Sequence, residues 1–212
     1  MDRKLIKDTS FLVIDFETIT PKGISPEPIE LGVLRINGTQ IDKKAAVNYL
    51  IKPPKGLHLT NFDTDQTGIR ESDLSDKPTA EKVISILNNA CKRTKYIFIA
   101  QNAKYEANIL SKYTGNNESI KATPIIDTIL LAKNVFPELD SYKLDILAKN
   151  MNINIPTGRH RALEDCFLTA EVFIGLLERK KEIIYIDNLL KIAQIQPSYQ
   201  KPEQMKLFDF PR

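Results

Sequence analysis

Ser10-Phe11-Leu12-Val13-Ile14-Asp15-Phe16-Glu17-Thr18 is the stretch from which the rest of the chain is best understood. Four apolar residues run straight into an acid–aromatic–acid triplet. A short run of β-branched and aromatic side chains predicts a strand covered on both faces. Side chains alternate along a strand, so Phe11, Val13, Asp15 and Glu17 share one face and Leu12, Ile14, Phe16 and Thr18 the other. Two carboxylates therefore stand side by side at the end of a buried strand. Adjacent anions in a low dielectric repel and resist joint ionisation. Either a cation joins them or the strand has already emerged into solvent, and the dyad alone leaves both open.

The chain has 212 residues, 42% apolar and 27% charged, with a net charge of +3. That suits one medium-sized soluble domain with a sizeable core. The mild charge permits a nucleic-acid partner without arguing for one, because duplex binders usually carry a dense basic stripe. No apolar run approaches the length of a membrane span, and no membrane partner is expected. Met1-Asp2-Arg3-Lys4 leads into no signal-peptide core. Cys91 and Cys166 form neither a metal spacing nor a disulfide framework, and a reducing, cytoplasmic setting is the expectation.

Outward from the opening strand, strand-like and helix-like pieces alternate. Residues 29–36 predict a second strand, closed by an Asn37-Gly38 turn, and residues 45–51 a third. Residues 57–78 are polar and turn-rich, with a short helix expected among them. Helical periodicity covers residues 79–91. Residues 96–100 form an apolar fourth strand, followed by a helix over 102–113. Residues 124–127 form a short fifth strand leading into a helix over 128–135. Further helices are expected over 142–151, 162–181 and 183–195. Three antiparallel strands followed by crossover helices predict an α/β fold of three layers on a mixed five-stranded sheet.

Two later segments carry candidate chemistry. In Gln101-Asn102-Ala103-Lys104-Tyr105-Glu106 a strand end meets a helix start, with Asn102 able to cap it and Glu106 one turn further on the same side. Taken alone, Glu106 is more simply a solvated helix residue. In His160-Arg161-Ala162-Leu163-Glu164-Asp165 the His-to-Asp spacing of five is about 140° around an ideal helix. For both to face one site, His160 must sit on the preceding loop or in the first turn, with Gly158 allowing the bend. His58, the other histidine, is expected at the surface. A third segment, Gln204-Met205-Lys206-Leu207-Phe208, places large apolar side chains in a polar terminus. They dock either on this domain or on something else.

Together, Asp-x-Glu-Thr on the first strand, Asn-Ala-x-Tyr-Glu after the fourth and His-Arg-Ala-x-x-Asp at a late helix resemble the motifs of the DEDDh (DnaQ-like) 3′–5′ exonuclease family. Within that family the chain is similar to the proofreading exonucleases of bacterial DNA polymerase III. The likeness covers about residues 10–180 and includes Thr67-Gly68-Ile69, Ile126-Asp127-Thr128 and Leu144-Asp145-Ile146-Leu147-Ala148 between the motifs. The resemblance implies a ribonuclease H-like fold. It implies two divalent ions, Mg²⁺ or Mn²⁺, bound by Asp15, Glu17, Glu106 and Asp165, with His160 as general base. It implies contacts from Thr18 and Asn102 to a nucleic-acid 3′ end, single-stranded DNA or alternatively RNA. The family usually has Asp where Glu106 stands and His where Gln101 stands, so a catalytically weakened end-binding module is the alternative function. The tail resembles a bacterial sliding-clamp-binding pentapeptide, with Gln204, Leu207 and Phe208 as its anchors. The expected division is a nuclease domain over 1–182, a helical extension over 183–195 and a flexible tail over 196–212.

Overall fold

The computed structural model describes residues 3–21, 23–115, 117–157 and 160–195. Strand β1 spans Ser10–Ile19, β2 Glu27–Asn37 and β3 Gln40–Leu50. These three are consecutive antiparallel neighbours. β4 (Ile97–Ala100) lies parallel to β1, and β5 (Ile125–Asp127) parallel to β4. The C-terminal ends of β1, β4 and β5 therefore meet at one edge of the sheet, where ligands bind in open α/β folds.

The sheet has six strands, in the order β3-β2-β1-β4-β5-β6, where five were expected. The sixth, β6 (Gln194–Ile195), pairs antiparallel to β5. The helix expected over 183–195 is shorter, Ile186–Ala193, and gives way to this strand. The reason is non-local: the open edge of β5 offers unpaired N–H and C=O groups, and Gln194 and Ile195 take them. Ile183, Ile186, Leu189 and Ala193 of this segment join the main apolar core.

The nine helices of the described residues are α1 (Asn61–Thr67), α2 (Glu71–Leu74), α3 (Ala80–Arg93), α4 (Lys104–Ser111), α5 (Glu118–Lys121), α6 (Thr128–Val135), α7 (Leu144–Asn150), α8 (Ala162–Arg179) and α9 (Ile186–Ala193). The alternation of β1 divides the protein into three layers. Phe11 and Val13 pack with residues of α6, α7, α8 and α9. Leu12, Ile14 and Phe16 pack on the other side, against α3, α4 and α5. Long helix α8 buries Cys166, Ala170, Phe173 and Leu177, three or four residues apart, as one apolar stripe. Phe173 meets Phe11 edge-on, ring centroids 5.4 Å apart. Among the described residues, no helix is long and apolar enough to cross a membrane. The tail anchors Gln204, Leu207 and Phe208, and Gly158, lie outside the described residues.

Candidate active site

Asp15 and Glu17 project from one face of β1, and α8 brings Asp165 to them. Each of the three can offer a carboxylate oxygen, all within 4.8 Å of one another. This close approach depends on glycine. Gly32 on β2 stands opposite Asp15, and a Cβ there would lie 2.5 Å from the backbone carbon and oxygen of Ala162. Without a side chain at Gly32 the first turn of α8 rests directly on the sheet, and Asp165, one turn on, reaches the dyad. The β1–β2 register shifts immediately after Glu17, a bulge of the kind that re-aims side chains at strand ends.

Glu106, on α4, is buried, with 3% of its surface exposed. It is not one of the three clustered carboxylates. Its Oε2 is buried without a hydrogen-bond partner. Burial pushes the Glu106 carboxyl well above the usual carboxylate range, and Asp15, then Asp127 and Glu17, push it further. A buried, unpartnered carboxylate oxygen beside three clustered acids fits a divalent cation. So does the donor set, since hard carboxylate oxygens suit Mg²⁺ and Mn²⁺.

Asn102 does not cap α4. The residue preceding the helix is Ala103, with no side-chain cap, while Asn102 is exposed and takes the left-handed conformation at φ 58°. Asp127 instead holds the backbone just ahead of the helix. At the end of β5 it caps α6 by accepting from Ile129 N–H at 2.8 Å, and it also accepts from the backbone N–H groups of Asn102 and Ala103. Burial raises its pKa and these three donors oppose the rise. Gln101 is committed to structure. Its Nε2 donates to Tyr142 O at 2.8 Å and its Oε1 accepts from Thr128 Oγ1 at 2.5 Å. Thr18, at the end of β1, shares a 2.5 Å hydrogen bond with the Tyr105 hydroxyl. Burial pushes the Tyr105 phenol up to about 12, so it stays protonated at neutral pH.

His160 stands on the loop two residues before α8, exposed, with φ 68°. A non-glycine residue in this region costs on the order of 1–3 kcal/mol and persists where its surroundings over-determine it. The next residue is fastened firmly. Arg161 Nε and Nη2 donate to Glu30 Oε1 at 3.0 and 2.6 Å, and Nε also approaches Oε2 at 3.2 Å. Ala162 N–H donates to Glu30 Oε2 at 3.0 Å, and Asn48 Nδ2 to Oε1 at 2.7 Å. Sequence reasoning missed Glu30, Tyr105 and Asp127. Tyr105 and Asp127 stood, without an assigned role, inside the family-like segments Asn-Ala-x-Tyr-Glu and Ile126-Asp127-Thr128, and Glu30 stood out as an acid inside the apolar run of β2. His58 is at the surface, paired with Glu71 at 2.5 Å.

A family model described as an exonuclease of RNase T type matches residues 12–173. The chain belongs to this exonuclease family. The matched span holds every carboxylate of the site and His160. The exonuclease is 32% identical over 179 residues to DNA polymerase III subunit epsilon of Aquifex aeolicus, covering 83% of this chain and 84% of that one. It is 32% identical over 199 residues to the PolC-type DNA polymerase III of Thermotoga maritima, covering 92% of this chain but 14% of the polymerase. The chain thus spans about an eighth of the length of the PolC-type relatives it matches. Its fold is that of the nuclease domain of 3′hExo, a DEDDh family member bound to rAMP, with TM-score 0.71, 18% identity, and 83% and 95% of the two chains covered. The ribonuclease H-like expectation is thereby met, apart from the added sixth strand.

Proposed function

We propose that the exonuclease acts in the 3′–5′ direction on single-stranded DNA ends in replication or repair, with Mg²⁺ or Mn²⁺ held by Asp15, Glu17, Asp165 and Glu106. The carrying observation is the trio of carboxylates from β1 and α8 within 4.8 Å of one another, beside the buried Glu106. Two divalent ions bound there would supply charge stabilisation on the attacking and leaving oxygens of the phosphodiester. The exposed His160 takes the proton of the attacking water, a task suited to an imidazole near neutral pH. Thr18, held by Tyr105, and Asn102, at the mouth between β4 and α4, contact the terminal nucleotide. Homology to polymerase III subunits favours DNA. RNA is the alternative substrate, because the structurally similar 3′hExo domain was seen with rAMP.

A labelled oligonucleotide should be degraded from its 3′ end only with divalent metal. Asp15→Ala should abolish the activity and Glu106→Asp should retain it. A wild-type protein inert with both ions, but active as Glu106→Asp, would instead support a weakened end-binding module, the reading that Glu106's exclusion from the trio favours. DNA and RNA run side by side decide the substrate. We extend the reading to the cytoplasm, supported by two buried free cysteines. It also includes a nuclease over 1–182, a segment 183–195 and a tail 196–212 whose Gln204, Leu207 and Phe208 bind a sliding clamp. Deleting residues 205–208 should abolish clamp binding and spare cleavage of short oligonucleotides; unchanged clamp binding would end that assignment.

A further inference from the structure

We propose that Glu30 is a positioning residue for the reaction, a buried anchor to which Arg161 ties the loop that carries His160. The inference rests on the reading of His160 as general base. Glu30 is fully buried at 0% exposure, and a buried carboxylate is tolerated only when its oxygens are satisfied. Its donors come from three separate places: Asn48 on β3, the Arg161 side chain and the Ala162 backbone at the start of α8. Pairing a buried carboxylate with a partly exposed arginine adds little net stability over a well-packed apolar residue, so its value lies in the geometry that it enforces. That geometry concerns the site. Glu30 lies directly across the β1–β2 ladder from Glu17, yet it is not among the clustered carboxylates. It therefore neighbours the metal-binding face while spending its oxygens on the loop. Arg161, the residue bonded to it, directly follows His160, whose left-handed backbone needs such a fixed neighbour. Gly32, two residues along β2 from Glu30, keeps the sheet surface low enough for the same turn to dock.

The test uses Glu30→Gln and Arg161→Ala in the full chain, with circular dichroism confirming the fold. Arg161 is partly exposed, so its variant carries the test if Glu30→Gln fails to fold. A displaced general base predicts a kcat about 10- to 100-fold lower, with KM within about twofold and Mn²⁺ affinity by calorimetry unchanged. In a His160→Ala background neither substitution should lower kcat further, because residues acting as one unit are non-additive. A second readout does not depend on activity. The chain has two histidines, so the His160 imidazole resonance is readily assigned by NMR, and it should move to the random-coil position in either variant. An unchanged His160 resonance in a folded Arg161→Ala protein would overturn the proposal, as would an equal loss of kcat with and without His160. Full activity of His160→Ala would instead sink the base assignment, whatever the NMR result.

Discussion

Buried against Asp15, Asp127 and Glu17, the Glu106 carboxyl is driven toward its neutral form in the metal-free protein. The folded state then holds a proton that the unfolded chain releases above its ordinary value of 4.5. The stability from this group is complete below that value and is lost as pH rises through the higher folded value. Thermal melts in EDTA should therefore show Glu106→Gln gaining on wild type as pH increases. A wild-type advantage that grew with pH under those conditions would contradict the assignment. With Mg²⁺ present the order should reverse, because the amide cannot replace an anionic ligand. Tyr105→Phe is a milder change. It removes one hydrogen bond to Thr18 and should cost about 1 kcal/mol of stability. KM for the oligonucleotide should rise more than kcat falls, as steady-state kinetics would show.

The elements α8 and β2 meet through backbone at Gly32, so a single methyl group has large effects there. Gly32→Ala would place its Cβ 2.5 Å from Ala162 and 2.6 Å from the nitrogen of Leu163. Neither is the movable end of a side chain. Overpacking of this kind costs about 1–3 kcal/mol, readable as a lower urea midpoint. Activity should fall further than stability, since the shifted turn carries His160 and Asp165 together. The elements themselves were largely legible in the sequence. Helix α6 begins and ends where periodicity put it, at Thr128 and Val135, and β1 alternates between the two cores as its pattern predicts. Asp15 and Glu17 were legible together because strand parity is a local property, whereas Asp165, far along the chain, was joined to them only by the family resemblance. The role of Glu30 was not legible, because its partners lie 18 and 131 residues away, and nothing in Ile-Glu-Leu-Gly announces them. β6 was hidden for the same reason: Gln194 and Ile195 follow a helical pattern and become a strand only beside β5. The Asn102 cap failed because Asn102 takes the left-handed conformation at φ 58°, whereas a capping residue is extended.

At the scale of the whole molecule, divalent metal should act as a stability ligand. A cation at about 100 times its Kd contributes about 2.7 kcal/mol, and a domain of this size gains about 2–4 °C per kcal/mol. Mg²⁺ or Mn²⁺ should therefore raise the melting temperature by about 5–10 °C. EDTA should remove the gain, and Asp15→Ala should never acquire it; scanning calorimetry decides. The short strand β6 has a directional consequence of its own. Ile195 pairs with Ile125, and Gln194 with Ile126, so the chain moves away from Asp127 as it passes from 194 to 195. Asp127 marks the catalytic rim, and Ile195 therefore points toward the opposite rim.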